Sequence, residues 1–146
     1  MMEIIKMTEE HISEVAEIER LCFSSPWSEN SLRMLTDGRG VAYVAVCDGR
    51  VAAYGGMIAV LDEGQVTNIA THPELRRRGA ARAVTEALIS YGRKGGLEGI
   101  YLEVRKSNSA AISLYEGCGF VAVGERKKFY SDPCEDAILM KKTLVE

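Results

Sequence analysis

The 146-residue sequence predicts a single α/β domain built on a mixed sheet, and three observations carry that prediction. Short runs rich in β-branched and small apolar residues mark strands. Between them lie segments whose apolar positions recur at helical spacing. No composition shift, linker or internal repeat divides residues 1–146, so one core must serve the whole length. A chain of this size buries most of the apolar surface that its unfolded form exposes.

Residues Glu3 to Met7 form the first expected strand, and Thr8 is placed to cap a helix whose first turn carries Glu9 and Glu10. Ile12, Val15, Ala16, Glu19 and Cys22 mark one side of that helix. Phe23-Ser-Ser-Pro-Trp27 breaks it, and Ser28 caps a second short helix running to about Thr36. Val41–Cys47 and Val51–Leu61 are strands joined at Asp48-Gly49, where both turn positions tolerate positive φ. Asp62-Glu63-Gly64 is expected as the next turn, Gln65–Thr71 as a strand that ends at His72-Pro73. Ala80, Ala83, Val84, Ala87, Leu88 and Tyr91 define a helix stopped by Gly95-Gly96. A strand over Ile100–Val104, a helix over Asn108–Cys118, and strands over Phe120–Gly124 and Asp136–Lys141 around a polar loop complete the order β-α-α-β-β-β-α-β-α-β-β.

Composition narrows the functional classes. Apolar residues make up 47% and charged residues 27%, the balance of a globular protein rather than a disordered one. A net charge of −3 gives no broad attraction to nucleic acid or to an anionic membrane. Cys22, Cys47, Cys118 and Cys134 lie far apart, and with His11 and His72 they offer no zinc-ligand spacing, so reduced thiols and no metal are expected. The N-terminus lacks a signal-peptide core and no apolar run is long enough to span a bilayer, which fits a soluble cytoplasmic protein.

One segment has the makings of a phosphate site. A strand leads into Arg76-Arg77-Arg78-Gly79-Ala80-Ala81-Arg82 and then into an amphipathic helix. The first turn of a helix leaves backbone N–H groups without internal partners, and its dipole adds positive potential. Gly79, Ala80 and Ala81 are small enough for a pyrophosphate to approach the backbone, and the arginines add charge. A solvated basic turn before a surface helix is the plainer alternative. Neither a Gly-Lys-Ser/Thr loop nor a dinucleotide-type G-x-G-x-x-G is present.

The pattern Arg76-x-x-Gly79-x-Ala81, after a strand and opening a helix, resembles the pyrophosphate motif of the GNAT acetyltransferases. Tyr101-Leu-Glu-Val-Arg105, Ser107-Asn108-Ser-Ala-Ala111 and Leu114-Tyr115-Glu-Gly-Cys-Gly-Phe120 resemble the second half of the same family. Phe23-Ser-Ser-Pro-Trp27-Ser-Glu29, and Tyr130 followed by Glu135-Asp-Ala-Ile-Leu-Met140, are similar to its ribosomal-protein-alanine branch, the RimI type. The likeness covers essentially the whole chain in order and spacing. It departs from the family pattern at Ala81, often glycine, at Cys118, usually aliphatic, and at Phe129, where a second tyrosine often precedes Tyr130.

The resemblance implies a mostly antiparallel central sheet with helices on both faces. It implies acetyl-CoA as co-substrate, held by Arg76 to Arg82 and by Asn108, and acetylation of a protein N-terminus, chiefly an alanine-starting small-subunit ribosomal protein. Residues Ile69, Ala70 and Thr71 would offer a backbone N–H to the thioester carbonyl, from a strand splayed away from the one that carries Glu103. Asn108 also reads as a helix cap. Trp27 and Tyr130 would line the acceptor side, against ordinary roles as a lid over the core and a strand-end aromatic.

Attack by an amine on a thioester needs a neutral amine, and a peptide α-amino group with a pKa of about 8 is mostly charged at neutral pH. Glu103, between Leu102 and Val104, is a general base if it faces a cleft, and a surface residue if strand alternation turns it to solvent. Tyr115 reads from spacing as a core tyrosine; the resemblance makes it the acid that protonates the departing thiolate. A small-molecule amine acetyltransferase and a non-catalytic acetyl-CoA-binding module are the alternative functions. A covalent route through Cys118 is disfavoured, because a helix C-terminus destabilises a thiolate and no histidine is near in sequence. Cys118→Ala is therefore expected to keep turnover near that of the parent in a thiol-release assay, and complete loss would reopen the acetyl-enzyme route.

Overall fold

A computed structural model describes residues 2–145. Strand β1 (Met2–Lys6) leads through a 3-10 turn at Glu9–His11 into α1 (Ile12–Cys22), and α2 (Glu29–Arg33) follows. Strands β2 (Val41–Cys47), β3 (Arg50–Val60) and β4 (Glu63–Thr71) form a meander. A 3-10 turn at Pro73–Leu75 leads to α3 (Ala80–Lys94), then β5 (Gly99–Arg105), α4 (Ser109–Gly117), β6 (Val121–Tyr130) and β7 (Glu135–Thr143). The order of strands and helices is the one the sequence predicts.

Among the described residues the seven strands form one sheet in the order β1-β2-β3-β4-β5-β7-β6. Every neighbouring pair is antiparallel except β4 and β5. Alternation along β2 shows why helices cover both faces. Ala42, Val44 and Val46 pack with the α1–α2 layer, whereas Tyr43, Ala45 and Cys47 pack with Val84 of α3. Val104 of β5 packs with Tyr115 of α4 in a third cluster that also holds Leu88 of α3.

The feature that positions the site is the departure of β4 from β5. Their ladder runs for three pairs, from Glu63↔Gly99 to Gln65↔Tyr101, and then ends. Just beyond, the β3–β4 register steps from Met57↔Val66 to Gly55↔Ile69. Two β4 residues, Thr67 and Asn68, therefore stand opposite the single residue Gly56, which is a β-bulge. Such an insertion bends its strand and increases the local twist. Gly56 is required there, because a Cβ on it would come within 2.6 Å of Thr67 Oγ1 and 2.7 Å of Leu35 Cδ1.

Several boundaries differ from the sequence expectation. The turn after β3 uses Leu61 (φ 57°) and Asp62, while Glu63 and Gly64 already belong to β4. Gly64 serves packing rather than a turn, since a Cβ there would lie 2.7 Å from Met57 Sδ. The expected polar loop after Gly124 is instead the second half of β6, which runs to Tyr130. Its charged residues are exposed on an edge strand, where solvated side chains are normal and alternation carries little information. Helix α2 also ends at Arg33, three residues before the expected limit.

If the bulge depends on the space above Gly56, Gly56→Ala overpacks it. The expected cost is about 1–3 kcal/mol, read as a lower urea midpoint with an unchanged m-value.

Candidate active site

The head of α3 is open. Gly79 is its N-cap in the left-handed region (φ 77°), with nothing within 4 Å of where a Cβ would stand. The amide of Ala83 bonds to the Gly79 carbonyl at 3.0 Å, so the N–H groups of Ala80, Ala81 and Arg82 lie in the unpaired first turn. Arg77, two residues before Gly79, also takes positive φ (65°). A cleft of about 610 Å³ begins there, lined by Ile69, Ala70, Thr71, Arg76, Arg77, Gly79, Ala80, Ala81, Arg82 and Asn108. Small residues, unpaired amides and guanidinium groups at its mouth fit a diphosphate. Arg78 is exposed and does not line it. Arg82 also donates to the Gly117 carbonyl at 3.1 Å, tying α3 to the end of α4.

A second cavity, of about 580 Å³, opens between the splayed strands and shares Cys22, Phe23, Ile69, Asn108, Ala111 and Tyr115 with the first. Glu103 and Tyr115 both line it, as do Trp27 and Tyr130. Strand alternation does put Glu103 on the face opposite Ile100, Leu102 and Val104, but that face looks into this groove and not into open solvent. Its side chain is 20% exposed and its Oε2 accepts from Arg126 Nε at 2.9 Å. Tyr115 is buried, with its ring edge-on to Phe120. Burial pushes its phenol well above the ordinary tyrosine value, so it holds its proton through the alkaline range. The Asn108 side chain accepts from the Ala111 amide at 3.1 Å, so Asn108 caps α4 at the place where the two cavities meet.

The far wall of the groove is built from the β6–β7 turn. The Arg105 guanidinium lies 4.5 Å from the Tyr130 ring centroid and donates to the Ser131 and Pro133 carbonyls at 3.1 and 2.9 Å. It also pairs with Glu135 at 3.2 Å. Glu135 in turn accepts the Ser107 amide at 2.6 Å, and the Ser107 bonds together with Arg105 hold its carboxyl below the usual carboxylate range. Burial, with Glu103 nearby, raises the Tyr130 phenol to about 12. The near wall is held by Glu19, which the sequence places on the apolar side of α1 but does not mark as a site residue. It is completely buried among the Trp27 amide and the Asn68 and Tyr54 side chains. Cys118 lines neither cavity, and burial beside Glu86 raises its thiol to about 11, which leaves no thiolate at neutral pH.

Two clefts that meet at one phenol, with a carboxylate in the second, suit a reaction between two bound partners, one phosphate-bearing and one nucleophilic. Group-transfer enzymes of the acyltransferase class work on that plan. The acetyltransferase (GNAT) family model matches residues 12–120, and the chain belongs to that family, whose co-substrate is acetyl-CoA. It is 39% identical over 125 residues to the [ribosomal protein bS18]-alanine N-acetyltransferase of Escherichia coli (strain K12), covering 84% of each chain. The Salmonella typhimurium enzyme of the same name is 38% identical over 126 residues, with 85% of each chain covered. The crystal structure of the ribosomal-protein-S18-alanine N-acetyltransferase from Escherichia coli superposes with a TM-score of 0.90 at 34% identity. That match covers 100% of this chain and 96% of the other.

The low value at Glu135 fixes the sign of a pH effect. A carboxylate held below its unfolded value stabilises the fold above that unfolded value, and the contribution fades as pH falls through the folded one. The melting-temperature gap between parent and Glu135→Gln is therefore expected to be widest above about pH 5 and to close as the solution becomes more acidic.

Proposed function

We propose that this chain is a cytoplasmic Nα-acetyltransferase that uses acetyl-CoA to acetylate the N-terminal alanine of a small-subunit ribosomal protein. The observation that carries this is the single groove shared by Glu103 and Tyr115, continuous with the cleft at the head of α3. The identity of 38–39% to relatives named for ribosomal protein bS18 supports the choice of acceptor.

Arg76, Arg77, Arg82 and the amides of residues 80–82 hold the diphosphate, and Asn108 contacts the pantetheine arm. When bound, acetyl-CoA supplies the activated acyl group. Trp27 and Tyr130 flank the incoming peptide end. The acceptor ammonium takes the position against Glu103 that the half-exposed Arg126 guanidinium holds here. Glu103 removes one ammonium proton, directly or through a water, and the freed lone pair forms the N–C bond. A main-chain N–H of the Ile69–Thr71 segment, beyond the end of the β4–β5 ladder, donates to the carbonyl oxygen as charge gathers on it. The C–S bond breaks as Tyr115 passes its proton to the departing sulfur, and the second ammonium proton, lost from nitrogen as the amide forms, returns to Tyr115 through water. The buried phenol suits that task because desolvation raises its pKa and keeps it a donor at the near-neutral pH at which the amine begins to lose its proton.

A panel of peptides differing in the first residue, set beside polyamines and aminoglycosides, tests the acceptor class by mass spectrometry. Acetylation concentrated on the Ala-starting peptide is expected, and preferential modification of the small amines would sink the proposal. Glu103→Gln and Tyr115→Phe are each expected to lower kcat by about 100-fold or more while acetyl-CoA still protects against thermal unfolding. The kcat of the parent should rise with pH as the acceptor amine loses its proton. It should show no decline up to about pH 10, where an ordinary tyrosine would titrate.

A further inference from the structure

Glu19 is the one charged side chain without exposed surface among the described residues, and the acetyl-transfer steps make no use of it. Burying a carboxylate is unfavourable unless donors replace water, and an apolar residue of similar volume would be easier to accommodate on that side of α1. Its partners are three neutral donors from three separate parts of the chain. The Trp27 main-chain N–H reaches Oε1 at 2.8 Å. The Asn68 amide reaches Oε2 at 2.9 Å, and the Tyr54 hydroxyl donates to the same oxygen. Trp27 and Asn68 both line the acceptor groove. Asn68 belongs to the bulge that separates β4 from β5, and Trp27 lies in the irregular connection between α1 and α2. Among the described residues, segment 24–27 makes no other hydrogen bond, so the Glu19 carboxylate is its polar anchor.

We propose that Glu19 is the positioning residue of the acceptor groove: its carboxylate bridges the main chain of Trp27 to the bulge residue Asn68, and so sets the spacing between the aromatic wall and the strand beneath it. As a statement about substrate this rests on the acceptor reading given above; as a statement about Trp27 it stands alone. Retained burial raises the carboxyl of Glu19 relative to a free one, a sign that desolvation outweighs the three donors. A site that accepts such a penalty is fixing geometry rather than adding stability.

Trp27 is the single tryptophan of the sequence, so acrylamide quenching of its fluorescence reads this wall without reference to activity. Glu19→Gln keeps the volume but exchanges one acceptor oxygen for a donor amide, breaking a groove-side bond. Tyr54→Phe removes the third donor and leaves both groove-side bonds, which makes it the control for a merely structural role. For Glu19→Gln, acceptor-peptide KM is expected to rise about tenfold and Trp27 quenching about twofold, with acetyl-CoA KM unchanged. Tyr54→Phe is expected to match the parent in both KM values and in quenching. Should Glu19→Gln fail to fold, Asn68→Ala decides the matter: it removes one groove-side donor to Glu19, and Trp27 quenching is expected to rise in the same direction. A folded variant with parental quenching and acceptor KM overturns the proposal, and so does an equal shift of both KM values in Tyr54→Phe. If the parent acetylates no peptide, the acceptor reading falls, and the quenching comparison alone then upholds or rejects the role of Glu19.

Discussion

Two β4 residues standing against one β3 residue set the geometry on which the active site depends. A regular pairing of Val66–Thr71 with both neighbours would close the sheet and leave no room for a second substrate. The bulge at Thr67–Asn68 turns β4 away after three pairs with β5, and the gap becomes the groove. The absence of a side chain at Gly56 makes the bulge possible, since Thr67 Oγ1 occupies the space a Cβ would take. That hydroxyl is buried and lacks a hydrogen-bond partner among the described residues, so the local arrangement carries a polar penalty as well. Such costs are tolerated where a regular sheet would abolish the site.

Two carboxylates near the groove show how environment divides roles between identical groups. Glu103 projects from a strand face into a solvent-reachable cavity, beside a guanidinium that can be displaced. That setting suits the base role proposed for it. Glu19 has no exposed surface and no mobile partner, only three donors belonging to the framework. Its proton affinity is raised by the lack of water, yet it has no route to a substrate. One acid has the surroundings the proposed base needs, and the other the surroundings of a framework anchor.

Much of this was legible in the sequence, and the parts that were not share a cause. Element order, the small residues Gly79 to Ala81 at the head of α3 and the caps at Asn108 and Ser28 are local chemistry, written in adjacent residues. The β4–β5 gap could be inferred only through resemblance, because a bulge depends on register between strands that no single segment encodes. Glu103 shows the limit well: alternation along β5 gave the correct face, but whether that face meets water or a groove depends on β4, α1 and the β6–β7 turn. Glu135 and Arg105 escaped notice because their partnership spans 30 residues and reads in sequence as two ordinary surface charges. Glu19 did leave a signal, a charge at an apolar helical position, of the kind that is more often a helix-edge residue than a buried one.

The two walls of the groove are held by opposite means, which bears on how the acceptor end is gripped. On the α1 side a buried anion gathers neutral donors around Trp27. On the β6–β7 side a half-buried cation, Arg105, gathers carbonyls around Tyr130 and faces its ring at 4.5 Å. Each charge is spent on framework groups, so neither adds an unpaired charge to the groove. That leaves Glu103 as the carboxylate whose partner, Arg126, is half-exposed and replaceable. A cationic chain end entering between two aromatic side chains, as the proposed function requires, therefore meets Glu103 inside the groove, whose lining also carries the exposed Asp132. The walls thus leave in the groove a carboxylate with a replaceable partner, which is what the proposed base requires.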